Sequence, residues 1–394
     1  MKLYNFKSEG GARPVVLDDM ILTKDMPTTA GSRMLDGYKS LFDAEAVTRL
    51  TAAGYTVAGK AAVGEFGIDL IGESSYEGAL VKDGALVNAA TEIVLAGEAE
   101  AAITLDVNGA TRRAAAQTGL VSVKPTYGTV SRYGTIPAAC SGECVSVTAK
   151  TADACLELLT AISGHDAKDG TSLSDAECAS ALECRAPKKV LIVSDMLALA
   201  DADVVARVEA AAEALSAAGV TVERGDAPIL LAARAAWNIL MSAETCNNVS
   251  RYDGVKYGYR AKDFVGIDGL YTNSRSEAFG KLLKMTIIYG SETLSTENYM
   301  KVYDKALRTR RVIAEALGKM FGEYDAILMP ATSKAAYAAS DVAVDECFVE
   351  NIYTAPASIS GMPSVVVGGA MLVGAAFSDG MLLSAAKIIE GEGK

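Results

Sequence analysis

The chain has 394 residues, half of them hydrophobic and 6% aromatic, which is enough for one large core or two ordinary ones. Its formal net charge is −12 at pH 7. A chain this acidic lacks the basic footprint that phosphate backbones require, so direct nucleic-acid binding is not expected.

Taken in order, the chain alternates helix and strand signals. Its first sixteen residues contain no apolar segment of the kind a signal peptide carries. Residues 42–53 (FDAEAVTRLTAA) read as an amphipathic helix capped by Asp43 and stopped by Gly54, with a short strand over 55–58. Residues 151–163 form a second helix, closed by Gly164 in the usual left-handed position. KVLIVS at 189–194 is a buried strand. Over 201–218, Val204, Val205, Val208, Ala211, Ala212 and Leu215 fall on one helical stripe that ends at Gly219, and 220–223 returns as a strand. A long helix over 299–321 leads into a strand at 326–329. The most apolar tract, 364–377, is too short to span a bilayer, and its central Gly368-Gly369 predicts a buried hairpin. With no repeat and no linker, residues 1–394 are expected to form one α/β domain covered on both sides of its sheet.

Seven cysteines without a C-x-x-C pair suit a reducing, cytoplasmic setting and free thiols. Cys140 and Cys144 lack a second ligand pair, so no metal site is expected there. The single histidine, His165, rules out multi-histidine metal centres, and its polar surroundings (SGHDAKDGTS) give it a surface or capping role. Arg308, Arg310 and Arg311 are the densest basic cluster and read as a solvated helix face.

At residues 119–134, GLVSVKPTYGTVSRYG, the chain resembles the amidase-signature family, and within it the A subunit of glutamyl-tRNA(Gln) and aspartyl-tRNA(Asn) amidotransferases. The similarity runs from about Pro14 to Ile389 and includes TTAGSRMLDGYKSLFDAEAVTRL (28–50), SRYDGVKYGYRAKD (250–263), SRSEAFGKLLK (274–284) and YTAPASISGMPSVVV (353–367). The resemblance implies a large mixed β-sheet covered by helices on both faces. It also implies that most of the family's N-terminal helical segment is lacking, since thirteen residues precede Pro14, and that about seven residues are missing between Glu65 and Gly84.

The family's chemistry uses a neutral lysine, a relay serine beside a cis peptide and a nucleophilic serine. Backbone N–H groups before the nucleophile form its oxyanion hole. Laid on this chain, the lysine position of the G-x-P-x-x-x-K-D-N-I pattern holds Asp18. The relay position in the Gly-Ser run falls on Leu86, and the nucleophile position of GSDTGGS-I-R falls on Ala110. Aspartate is negative where a neutral amine is needed, leucine has no proton to relay, and alanine has no nucleophile. Thr111 is one position away from the nucleophile and points elsewhere on a regular element. Lys60 is a candidate stand-in for the base but reads as structural.

The resemblance places the substrate carboxylate on Arg310 near Tyr259, and puts Asn351 where an acid would hold the substrate ammonium. It implies no cofactor and no metal. The expected function is that of a catalytically inactive amidase-signature protein serving as a binding or scaffold subunit, partnered by B- and C-like subunits or by itself as a homodimer. Two alternatives stand beside it: an amidase rewired around Thr111, Ser122 or a cysteine, and a sensor of amino acids or amides built on the Arg310 pocket. Tyr252, Tyr257, Tyr259 and Arg260 are residue types that anchor interfaces, and a protein–protein surface is expected there.

Overall fold

The computed structural model describes residues 2–72, 75–340, 342, 343 and 345–391. Its strands are β1 (Tyr4–Lys7), β2 (Pro14–Asp18), β3 (Thr56–Ala61), β4 (Val81–Lys82), β5 (Ala85–Leu86), β6 (Ala101–Asp106) and β7 (Val121–Lys124). They continue with β8 (Cys144–Ala149), β9 (Lys189–Val193), β10 (Thr221–Gly225), β11 (Ala326–Pro330), β12 (Ser364–Val367) and β13 (Ala370–Gly374). Eleven of them make one sheet in the order β1-β3-β2-β6-β8-β7-β12-β13-β11-β9-β10, while β4 and β5 pair separately. The sheet is mixed. β3, β2 and β6 run parallel at one side, β11, β9 and β10 run parallel at the other, and antiparallel pairs join the two.

The central strands are apolar at nearly every position and buried throughout, as AAITLD of β6 and AILMP of β11 illustrate. Strands without an alternating polar face have both sides covered. Helices supply that cover, and the core runs continuously from Val15 to Ala386.

Several sequence expectations hold closely. KVLIV is a buried strand, and 364–374 is a hairpin turned at Gly368 and Gly369, whose φ values of 58° and 85° suit a two-residue turn that only glycine adopts cheaply. Others need correction. The first helix is Glu45–Ala52 with Ala44 at its N-cap, because the Asp43 carboxylate accepts from the Lys24 N–H rather than capping the helix. The long helix is wound as a π turn over Tyr299–Tyr303 and becomes α-helical only over Asp304–Met320. On the helix Ala202–Ala217, Val204, Val208, Ala211, Ala212 and Leu215 are buried while Val205 is half-buried at the rim of the stripe. No helix among the described residues is long and apolar enough to cross a membrane.

Candidate active site

Adjacent parallel strands β2 and β6 end side by side, with Leu17 in register with Ile103. The carboxyl ends of such strands are where open α/β sheets form ligand crevices. β2 delivers Asp18 to this end. β6 delivers Asp106 and then turns sharply through Val107, Asn108 and Gly109 into the helix Ala110–Thr118. Gly109 has φ 94°, and a Cβ there would meet the Thr354 side chain at 2.5 Å, so the turn requires glycine twice over. Asp18 and Ala110 therefore face one cavity of about 40 Å³, lined also by Asp69, Ser75, Val87, Asn88, Thr104, Thr111 and Arg113.

Asp18 is a fastener between strands. Its Oδ1 accepts from the Met20 N–H at 3.0 Å and its Oδ2 from the Leu105 N–H at 2.6 Å. Burial pushes its carboxyl up to about 7, against the pull of those two N–H donors. Lys60 sits one strand away on β3. Its ammonium donates to the Ile21 carbonyl at 2.6 Å and to the Thr28 hydroxyl, and lies 3.9 Å from Asp19 Oδ1. Burial lowers its pKa to about 8, offset by Asp19 and Asp18. Lys60 is thus fully engaged in holding the strand ends and does not line the cavity.

Leu86 is in the small β4–β5 hairpin, where its N–H donates to the Tyr337 carbonyl and its side chain joins the core. It does not line the cavity; its neighbour Val87 does. No peptide bond among the described residues is cis. Thr111 does line the cavity, and its hydroxyl is bonded at 3.2 Å to Thr104, which in turn meets Ser146 at 2.8 Å. Ser122 is buried in the sheet against Thr148, and none of the seven cysteines borders this cavity. Among the described residues, no group of histidine, cysteine or acidic side chains is arranged to hold a metal ion.

The three pocket residues implied by the resemblance are not gathered here. Arg310 donates to the Ser141 carbonyl at 2.9 Å. Tyr259 lies beneath Arg33, 4.3 Å from its guanidinium carbon to the ring centre, and donates to Glu277. Asn351 is buried, and its amide bridges the side-chain oxygens of Asn108 and Asn238 at 3.0 and 2.7 Å. It therefore supports the Asn108 turn, together with Trp237, which donates to the same Asn108 oxygen. Tyr252 is buried against Phe66 with ring centres 5.2 Å apart, which removes it from the expected interface anchors. His165 is exposed and bonded to the Leu173 carbonyl.

The helix Ala110–Thr118 holds two features that single-residue matching overlooks. Arg112 is fully buried and forks onto Asp106, Nε to Oδ2 at 2.6 Å and Nη2 to Oδ1 at 2.9 Å. Arg113 is buried on the cavity side. Consecutive arginines in an otherwise alanine-rich helix are the available signal, since a buried guanidinium needs acceptors.

The description of the family model that matches this chain is "Amidase", over residues 13–81 and 90–383. Asp18 and Ala110 lie inside the matched segments, whereas Leu86 lies in the gap between them. The chain is 35% identical to the A subunit of the glutamyl-tRNA(Gln) amidotransferase of Acinetobacter baumannii, over 94% of this chain and 80% of the relative. It is 34% identical to that of Symbiobacterium thermophilum, over 95% of this chain and 81% of the relative. The crystal structure of the same protein from Thermotoga maritima superposes with a TM-score of 0.79 at 27% identity, covering 99% of this chain and 87% of that one. A mixed eleven-stranded sheet, a crevice at the ends of β2 and β6, and these likenesses agree: the chain belongs to the amidase family.

Proposed function

We propose that this chain is a catalytically silent amidase-family protein, similar to the A subunit of glutamyl-tRNA(Gln) amidotransferase, that acts in the cytoplasm as a binding or scaffold subunit. The observation that carries this reading is the pair of residues at the cavity. Asp18 has both carboxylate oxygens held by backbone N–H groups, and Ala110, at the start of the helix, offers no nucleophile. Among the described residues Thr111 has no basic side chain bonded to it, only another hydroxyl. The expected result is no hydrolysis of glutamine, asparagine or simple amides above background, with or without B- and C-like subunits from the same host. The combined Asp18→Lys, Leu86→Ser, Ala110→Ser variant should melt lower and stay inactive. Its lysine leaves the Met20 and Leu105 N–H groups without an acceptor, at about 1–3 kcal/mol each. Glutamine turnover by the wild-type chain, or a covalent acyl adduct on Thr111 seen by mass spectrometry, would end this reading.

The partner surface is proposed on the segment around Tyr257 and Arg260. Tyr257 is exposed, and Arg260 sits 5.8 Å from the ring centre of Phe264 beside the exposed Val265 and Ile267. Large exposed aromatic and aliphatic groups next to an arginine are the composition of interface anchors. Paired Tyr257→Ala and Arg260→Ala substitutions should weaken association with a B- or C-like subunit, or with a second copy, by about tenfold or more. Analytical ultracentrifugation of the variant beside the wild type would check it. Unchanged association would move the surface elsewhere.

A further inference from the structure

The cavity at the ends of β2 and β6 is lined by a cation to which no carboxylate is hydrogen-bonded among the described residues. Arg113 is 1% exposed. Its Nε donates to the Leu70 carbonyl at 2.7 Å and its Nη1 to the Gln117 side chain, both neutral acceptors, while Nη2 makes no hydrogen bond among the described residues. The Tyr337 ring lies 5.5 Å away. The acids that feel its charge are Asp69 and Glu350. Asp69 accepts from the N–H groups of Ile71 and Gly72 at 2.8 and 2.9 Å. Glu350 accepts from the N–H and hydroxyl of Ser333, each at 2.7 Å. Arg112, one residue earlier, has a carboxylate fork and Arg113 has none. A guanidinium does not shed its proton in a protein, so a buried one whose acids are bonded elsewhere and reach it only at a distance is costly to the fold alone.

A second observation points the same way. Ala110 and Thr111 line the same cavity, and their N–H groups, at the uncapped start of the nine-residue helix Ala110–Thr118, have no hydrogen-bond partner among the described residues. Such N–H groups favour negative charge.

We propose that this cavity binds a small monocarboxylate, its oxygens shared between the Arg113 guanidinium and the first N–H groups of the helix Ala110–Thr118. A guanidinium edge matches the planar carboxylate in both spacing and charge. The volume of about 40 Å³ admits a ligand of a few heavy atoms. Asp18 and Asp69 border the same space, which disfavours doubly charged anions and tolerates an ammonium on the ligand. The assignment goes beyond the scaffold reading and does not depend on it, since it requires neither a partner nor an amide.

The test is a melting-temperature titration of the whole chain with acetate, propionate and glycine, against chloride and sulfate at matched ionic strength. Saturating carboxylate should raise the midpoint by about 2 °C or more. Chloride and sulfate should not, and the shift should vanish in Arg113→Gln. Circular dichroism checks that the variant folds. If it does not, Ala110→Leu fills the cavity with Arg113 in place and should abolish the same shift. A response to acetate and glycine alike assigns the carboxylate alone; a response to glycine only adds the acids as an ammonium site. No shift with any carboxylate, or an equal shift in a folded variant, overturns the proposal.

Discussion

Replacing Asp106 with alanine is expected to cost the fold about 3–5 kcal/mol, the range seen when one partner of a buried ion pair is removed. Both members are fully buried. Arg112 also donates to the Thr354 carbonyl at 3.2 Å and the Ser358 hydroxyl at 2.8 Å, so it ties the strand end to the helix Ala355–Ser360. Without Asp106 the guanidinium stays charged in a space with no other acid bonded to it among the described residues. The double variant Asp106→Ala, Arg112→Met should recover part of the loss, because it removes the stranded charge as well as its partner. Urea unfolding midpoints, with the slope checked for constancy, measure both. A cost for Asp106→Ala below about 1 kcal/mol would place the pair in water, contrary to its burial.

Stability is also expected to fall as pH rises from about 5 to about 7.5. Five buried carboxyls, Asp18, Asp19, Glu65, Glu143 and Asp379, are raised and act in this direction. Burial is the leading cause in each, pushing Asp18 and Glu65 up to about 7 and Asp379 to about 6, against their hydrogen-bond donors. For an acid whose folded pKa lies above its unfolded value, the folded state holds the proton longer. Its contribution is fully present below the unfolded pKa, near 4, and is lost as pH climbs through the folded one. Lys60, lowered to about 8, acts in another window: the stability it withholds returns between about pH 8 and 10.5. Asp18, Asp19 and Lys60 titrate as one coupled group, so the curve belongs to the cluster. Asp379→Asn keeps an acceptor for the Thr126 N–H, turns the Thr126 hydroxyl from donor to acceptor and removes one titrating group, so its fall should be shallower. Denaturation at pH 5, 6, 7 and 8 tests this; a profile rising over that span would contradict it.

The regular parts of this fold are written in local patterns. KVLIV is legible because a parallel strand buried on both faces is a plain apolar run, and the helix Ala202–Ala217 because its buried positions recur every three to four residues. The start of the first helix is not legible in the same way, because Asp43 has two possible uses, as a cap or as an acceptor for the Lys24 N–H. Only the tertiary arrangement decides between them. At the site, Asp18 and Ala110 can be found by position in a motif, since motif spacing survives when chemistry changes. Arg113 cannot be, because what matters about it is that the acids whose charge reaches it, Glu350 and Asp69, are far off in sequence and hydrogen-bonded elsewhere. Likewise Tyr259, Arg310 and Asn351 are grouped by resemblance, while their hydrogen bonds lead to Glu277, Ser141 and the Asn108–Asn238 pair.

An eleven-stranded sheet that does not close has two outer strands, β1 and β10, whose spare backbone groups could template further strands. Each is obstructed. β1 is four residues long, carries a bulge between Tyr4 and Phe6, and ends at Lys7, which is paired with Glu98. β10 presents Glu223 and Arg224, bonded to Lys189 and Glu209 respectively. A newcomer strand would have to displace these ion pairs and fit a bent edge. Copies of this chain are therefore guarded against edge-to-edge polymerisation, and any stable assembly must be built from helix faces and loops.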